Sequence, residues 1–227
     1  MNSIAIIPAR GGSKGIYRKN IVKIGNIPLI GFTIMAAKKS KYLNKIIVST
    51  DDQEIMEISK NYGAETPFLR PDNISCDETR MIEVLKHSLI FLKKSSIKID
   101  AIVLLQPTSP LRNEKHIDES IDLFFRSKAS SVVSVVEVPH QYNPHSVLFL
   151  NSRGELVSNS KKNFNRRQDK PKFYARNGPA ILVIDPDTIM NNDLYGSKSV
   201  PYFMNIEDSL DIDNISDLES FKRIIEK

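Results

Sequence analysis

The sequence predicts a three-layer α/β fold on a mostly parallel, mixed sheet, and two observations predict it. Short apolar runs without helical spacing occur at residues 4–7 (IAII), 45–50 (KIIVST), 100–105 (DAIVLL), 131–138 (SVVSVVEV) and 180–184 (AILVI). Runs of that length and β-branched content read as strands buried on both faces. Between several of them lie stretches with apolar residues at helical spacing, so the chain reads as repeated strand–helix units, which pair in parallel, with one or two strands antiparallel near the C-terminus. At 227 residues the chain can bury one sizeable core, and it is read as one domain over residues 1–227.

The first strand ends at Pro8 and runs into ARGGSKGIYRKN. Gly11, Gly12 and Gly15 let backbone N–H groups turn inward, and Arg10, Lys14, Arg18 and Lys19 put four cations within ten residues, which is a polyphosphate cradle in outline. It has the spacing of neither the P-loop nor G-x-G-x-x-G. Arg10 and Lys19 are its best phosphate ligands, Lys14 follows, Asn20 can hydrogen-bond sugar or phosphate, and Arg18 reads as a solvated surface charge. A helix is expected over 28–39 and a buried strand over 45–50. A second helix over 51–62 is expected to be capped by Thr50 or Asp51 and closed by Gly63. A short strand over 64–69 ends at Arg70-Pro71, and Ser75 or Asp77 is expected to cap a long helix running to Lys93. The third buried strand, 100–105, leads into the QPTSPLR loop from Gln106 to Arg112. Ligands gather beyond the carboxyl ends of such strands, so Arg10, Asp51 and Gln106 are expected on one rim.

A helix over 114–126 and a strand over 131–138 follow. From Pro139 the chain turns polar and proline-bearing, and residues 139–172 read as a projecting arm, with a hairpin of 147–150 against 155–157 around Asn151-Ser152-Arg153-Gly154. Strands are expected again over 180–184, 201–205 and 209–213 (SLDID). On that last strand Asp211 and Asp213 would alternate, so both carboxylates would share one face and could hold one Mg²⁺; an acidic strand end facing water has the same spacing. Ser216 to Glu219 reads as a capping box opening a terminal helix that buries Leu218, Phe221, Ile224 and Ile225.

The net charge of +5 is spread along the chain, and no RNA- or DNA-reading motif accompanies it, so a nucleic-acid partner is not expected. No apolar run approaches the roughly eighteen residues of a membrane span, and the N-terminus reads as a strand instead of a charged-then-apolar leader, so the expected location is the cytoplasm, away from any membrane. Cys76 is the only cysteine, which leaves no intramolecular disulfide, and the four histidines lack zinc-ligand spacing.

Taken together and in order, IIPARGGSKGIYRKN, FLRPDNISCDETR, LLQPTSPLR, RRQD with a later NG, and SLDID resemble the CMP-sialate (acylneuraminate or nonulosonate) cytidylyltransferase family over essentially the whole chain. The resemblance implies a Rossmann-like nucleotide-diphospho-sugar transferase fold and a homodimer in which the 139–172 arm completes the partner's site. The implied reaction moves CMP from CTP to the anomeric hydroxyl of a nonulosonic acid and releases pyrophosphate. It further implies that Ala9, Arg10, Gly12, Lys14, Lys19, Asn20, Arg70 and Thr79 bind the nucleotide and that Gln106, Arg166, Arg167 and Asn177 bind the acid. It implies as well that Asp211 and Asp213 hold Mg²⁺ and that Arg10, Lys19 and Asp211 act in catalysis. Two departures leave the particular acid open between N-acetylneuraminate, legionaminate and a related sugar: the order Arg176-Asn177-Gly178-Pro179, and Ser146 where some members have lysine. Alternatives are a cytidylyltransferase for Kdo or pseudaminate, a sugar 1-phosphate nucleotidylyltransferase, and a non-catalytic sugar-nucleotide-binding protein. Retention of both aspartates argues against the last.

Overall fold

The computed structural model describes residues 1–94, 97–158, 164 and 166–226. Strand β1 (Ser3–Pro8) lies inside the main sheet, parallel to β4 (Leu43–Ser49) on one side and to β5 (Ala101–Leu104) on the other. Next to β5 runs β10 (Leu182–Ile184), antiparallel both to it and to β6 (Ser131–Glu137). The far edge is β11 (Ser199–Phe203), parallel to β6, whose end also pairs with the short antiparallel β9 (Tyr174–Arg176). The strand order is therefore β11-β6-β10-β5-β1-β4, a mixed sheet with its antiparallel members late in the chain, as the sequence predicts.

Strand residues alternate between two buried faces. Ala5, Ile7, Val48 and Val103 pack with α1 (Leu29–Lys39), α2 (Gln53–Asn61) and α4 (Glu114–Ser127) through Ile34, Ile55 and Ile121. Ile4, Ile6, Ile47 and Ile102 pack with α3 (Met81–Lys93) and α5 (Pro186–Met190) through Leu85, Leu89 and Ile189. Each fully buried aliphatic side chain contributes about 1.5–3 kcal/mol. That two-sided burial explains why the strands read as continuous apolar runs. A third cluster joins Ile16 of the glycine loop, Leu29 of α1 and Ile212 to Leu218 and Phe221 of α6 (Ile215–Ile225), so the terminal helix clamps residue 212 against the loop.

Several local expectations are corrected. Residues 209–213 form no strand: they lie beyond the carboxyl rim, where Ile212 N–H donates to the Thr108 carbonyl (2.8 Å) of a loop and no free strand edge offers a ladder. Asp211 and Asp213 thus differ in setting, one half-buried and the other exposed. The cap of α2 is Asp52, whose carboxylate accepts from Ile55 N–H, which releases Asp51 from that task. Helix α3 starts at Met81, after Arg80, later than a cap at Ser75 or Asp77 would place it, and a 3₁₀ turn over Asp72–Ile74 precedes both of those residues. Residues 64–69 make only two single bridges, Ile47 to Glu65 and Thr50 to Leu69. Asn214 caps α6, accepting from Asp217 N–H (3.1 Å). Arg18 is no solvated charge: at φ 49° it meets both Asp52 oxygens at 2.9 and 2.8 Å and Glu54 at 3.0 Å.

The sequence reading passes over the two-residue strands β2 (Lys23–Ile24) and β3 (Ile27–Pro28), which are too short to show a period. The expected hairpin in the arm is present as β7 (Leu148–Leu150) against β8 (Leu156–Ser158), with all six residues exposed. Residues 159–163 and 165, within the polar, basic run that follows β8, lie outside the described residues. Among the described residues no helix is long and apolar enough to cross a membrane.

Candidate active site

Because β1, β4 and β5 are parallel, the residues that follow them emerge at one edge. Arg10 comes from the first, Asp51 from the second and Gln106 from the third, so positions far apart in sequence share one rim. Ala9 is buried beneath it, its N–H on the Ser49 carbonyl (3.0 Å). Gly11 N–H then donates to Asp51 Oδ1 (3.0 Å), tying the loop to the end of β4. A Cβ on Gly11 would stand 2.7 Å from Asp52 Oδ2, and one on Gly15 would stand 2.5 Å from the Asp213 carbonyl oxygen. Both approaches exclude any larger residue, and the second presses the loop against the segment that carries the two aspartates.

Side chains fasten the loop further. Asn20 is buried and donates to the Arg10 carbonyl (2.9 Å), so it supports the turn from below. Lys19 Nζ donates to the Ile212 carbonyl (2.8 Å) and lies 3.3 Å from Asp213 Oδ1, linking loop to aspartates. On the opposite wall Arg70 is 4 % exposed; its Nε donates to Ser75 Oγ (3.1 Å) and Nη2 lies 3.6 Å from Asp51 Oδ1. Burial pushes the Arg70 guanidinium below its ordinary value, and Asp51 counters that shift. Asp51 therefore bridges the glycine loop and the buried arginine, a role hidden in the sequence by its resemblance to a helix cap.

These groups enclose a cavity of about 420 Å³. Arg10, Gly12, Lys14, Lys19, Asn20 and Arg70 line it, together with Thr79, Gln106 and Asp213. Every nucleotide-binding candidate except the buried Ala9 is therefore on its wall, and the open space in front of Gly12 faces nothing within 4 Å. Gln106 is positioned by Arg112. Arg112, fully buried, donates from Nη1 to the Gln106 carbonyl (3.2 Å) and the Ala180 carbonyl (3.1 Å), stapling the QPTSPLR loop to the start of β10. Burial pushes its guanidinium down to about 9, which leaves it charged at neutral pH.

The other sequence candidates are placed around that cavity and not in it. Asp211 is half-buried behind the wall, and its Oδ1 is buried without a hydrogen-bond partner. Burial, and then Asp213 and Asp217, push its carboxyl up, against the opposing pull of the Thr108 hydrogen bond and Lys19. Asn177 is buried; its Nδ2 donates to Ser209 Oγ (2.9 Å) and its Oδ1 accepts from Ser134 Oγ (2.7 Å), so its amide props the segment leading to Asp211. Gly178 needs φ +111°, and a Cβ there would approach Ser109 Oγ to 2.9 Å and Asp211 Cγ to 3.5 Å. Arg166 and Arg167 are exposed on the arm, Arg167 on a second cavity of about 940 Å³ at its base.

Among the described residues no trio of His, Cys, Asp and Glu converges on a point. A pair of carboxylates is nevertheless a fitting donor set for Mg²⁺, which takes one or two and completes its shell with phosphate oxygens and water. The orphaned Asp211 Oδ1 has a lone pair to offer, and Asp213 stands on the cavity wall nearby.

An open α/β sheet with a cationic glycine loop and a polar cavity at its carboxyl rim has the architecture and charge of a site for a phosphate-bearing ligand. The chain belongs to the cytidylyltransferase family: a sequence model of that family, described as Cytidylyltransferase, matches residues 4–227. It is 31% identical over 228 residues to the CMP-N,N'-diacetyllegionaminic acid synthase of Legionella pneumophila, covering 100% of this chain and 97% of that protein. It is 34% identical over 223 residues to the N-acylneuraminate cytidylyltransferase of Escherichia coli, covering 95% of this chain and 50% of that longer protein. Its fold is similar to that of a CMP:2-keto-3-deoxy-manno-octonic acid synthetase complexed with CTP, with a TM-score of 0.74 and 16% identity, covering 100% of this chain and 99% of the other.

Proposed function

We propose that this protein transfers CMP from CTP to the anomeric hydroxyl of a nonulosonic acid, in the cytoplasm, and releases pyrophosphate. The observation that carries the reading is one cavity in which the loop cations and Arg70 face Gln106, with the Asp211 and Asp213 segment clamped against the loop. Arg10, Lys14 and Lys19 neutralise the triphosphate, while Ala9, Gly12 and Asn20 shape the loop around it. Arg70 and Thr79 hold the nucleoside end. Gln106 orients the acid, whose hydroxyl oxygen forms a bond to the α-phosphorus as the bond to the β-phosphate oxygen breaks. The hydroxyl proton leaves toward Asp211. Mg²⁺ held by Asp211 and Asp213 would supply Lewis-acid neutralisation of the leaving pyrophosphate. Incubation with CTP, Mg²⁺ and a panel of N-acetylneuraminate, legionaminate, pseudaminate and Kdo tests the reading. Pyrophosphate is expected with a nonulosonic acid; release with Kdo alone, or with none of the four, rejects it.

The arm is proposed to pair two copies, with Arg166 and Arg167 and the base of the arm turned toward the partner's acid. What supports this is an apolar surface with too little core of its own: Leu148, Phe149, Leu150 and Leu156 are exposed on the hairpin, and Phe203 and Ile206 beside its base. Light scattering at micromolar concentration should give about twice 25.7 kDa. Phe149→Asp with Leu156→Asp should return the mass to that of one chain and lower turnover. Full activity in a monomer refutes the pairing.

A further inference from the structure

Two of the loop cations that face the cavity are held by one acid from the opposite wall. Asp77 directs Oδ1 to the Arg10 guanidinium and Oδ2 to Lys14 Nζ (2.8 Å), so its carboxylate stands between the loop and the segment before α3. Nothing in the local fold calls for that carboxylate. Arg80 caps α3, and its N–H is answered by Glu83 (3.0 Å), while the turn at residues 76–79 closes through Thr79 N–H on the Cys76 carbonyl (3.3 Å). The contact raises the Lys14 ammonium above its ordinary value and lowers the Asp77 carboxyl, through the hydrogen bond first in both.

We propose that Asp77 is an internal competitor for the phosphate cradle, which an incoming nucleoside triphosphate displaces from Arg10 and Lys14. The inference rests on the reading of this cavity as a CTP site and names the residue that sets how strongly an anion must bind to enter. Each of the two ion pairs is partly solvated, so a single carboxylate can occupy the cations without locking them. A triphosphate brings several charges and bidentate geometry for arginine, and it exchanges with Asp77 at a net gain. A singly charged anion gains nothing over the carboxylate already there. Asp77 therefore favours polyphosphate over the simple anions of the cell, and its return to the two cations helps pyrophosphate leave.

The test compares D77N with E78Q by calorimetry, without Mg²⁺, using CTP, sodium pyrophosphate and cytidine. Both variants remove one negative charge from the same turn, but only D77N removes the carboxylate that touches Arg10 and Lys14. D77N is expected to bind CTP and pyrophosphate about three- to tenfold more tightly than wild type. E78Q should gain less than about twofold, which is what the long-range loss of one screened charge would give. Cytidine, with no phosphate, should bind all three proteins alike. Equal affinities in the two variants, or looser binding by D77N, overturn the proposal. A wild type that takes pyrophosphate but not CTP rejects the nucleotide reading instead, and the pyrophosphate comparison then still decides the role of Asp77.

Discussion

Asp211→Ala is expected to lower turnover on the order of a thousandfold, the several kcal/mol that metal neutralisation of developing phosphate charge supplies, while the protein stays folded. Its loss should match the activity of wild type in excess chelator. Stability should move the other way. Burial raises the folded-state pKa of Asp211 above its ordinary 3.8, so the native chain takes up this proton more readily than the unfolded one. For a raised carboxyl the sign is a cost: none below the unfolded value of 3.8, growing as pH climbs through the folded value, and complete above it. Asp211→Asn, which keeps the shape and removes the charge, should therefore hold or raise Tm at pH 7, by about 2–4 °C for each kcal/mol relieved, with the difference shrinking toward pH 3. Undiminished activity in Asp211→Ala, or a Tm of Asp211→Asn well below wild type at neutral pH, contradicts the assignment.

Gln106→Ala is expected to reduce kcat/KM for the acid by about 2–4 kcal/mol, some thirty- to a thousandfold, and to leave CTP affinity little changed. The amide can donate and accept at once, which suits a polyhydroxylated acid; a phosphate could use only its donor. Its backbone is fixed independently of the side chain, since Arg112 binds the Gln106 carbonyl, so the truncation should not move the loop. Steady-state kinetics against each substrate, with calorimetry for CTP, reads the difference. Collapse of CTP affinity with acid kinetics spared would reverse the placement of the two substrates in the cavity.

Much of the fold is legible in the sequence because two-sided burial writes itself as uniform apolar runs. Ile4 to Ile7 and Ala101 to Leu104 are buried on both faces, and the period-2 alternation of a half-exposed strand has no place there. Caps are less legible. Thr50, Asp51 and Asp52 are all competent N-caps, and only the backbone path makes Asp52 the one that meets Ile55 N–H. Arg18 misleads for a related reason: a charge in a glycine-rich loop looks solvated until a carboxylate 34 residues later is found against it.

The sequence by itself determined the three-layer α/β class, the glycine loop after β1 and the family to which the chain belongs, because apolar runs, glycine placement and short motifs are local properties. Tertiary structure alone decided the rest. It set Asp51 between Gly11 and Arg70, buried Arg112 under Gln106, and drew Asp77 across the cavity onto Arg10 and Lys14. It also laid residues 209–213 over the rim as a loop, where Ile212 is gripped by α6 and Asp211 is half-buried while Asp213 is exposed. Those facts depend on which groups of distant segments meet in space, and spacing along one chain holds no record of a partner's position.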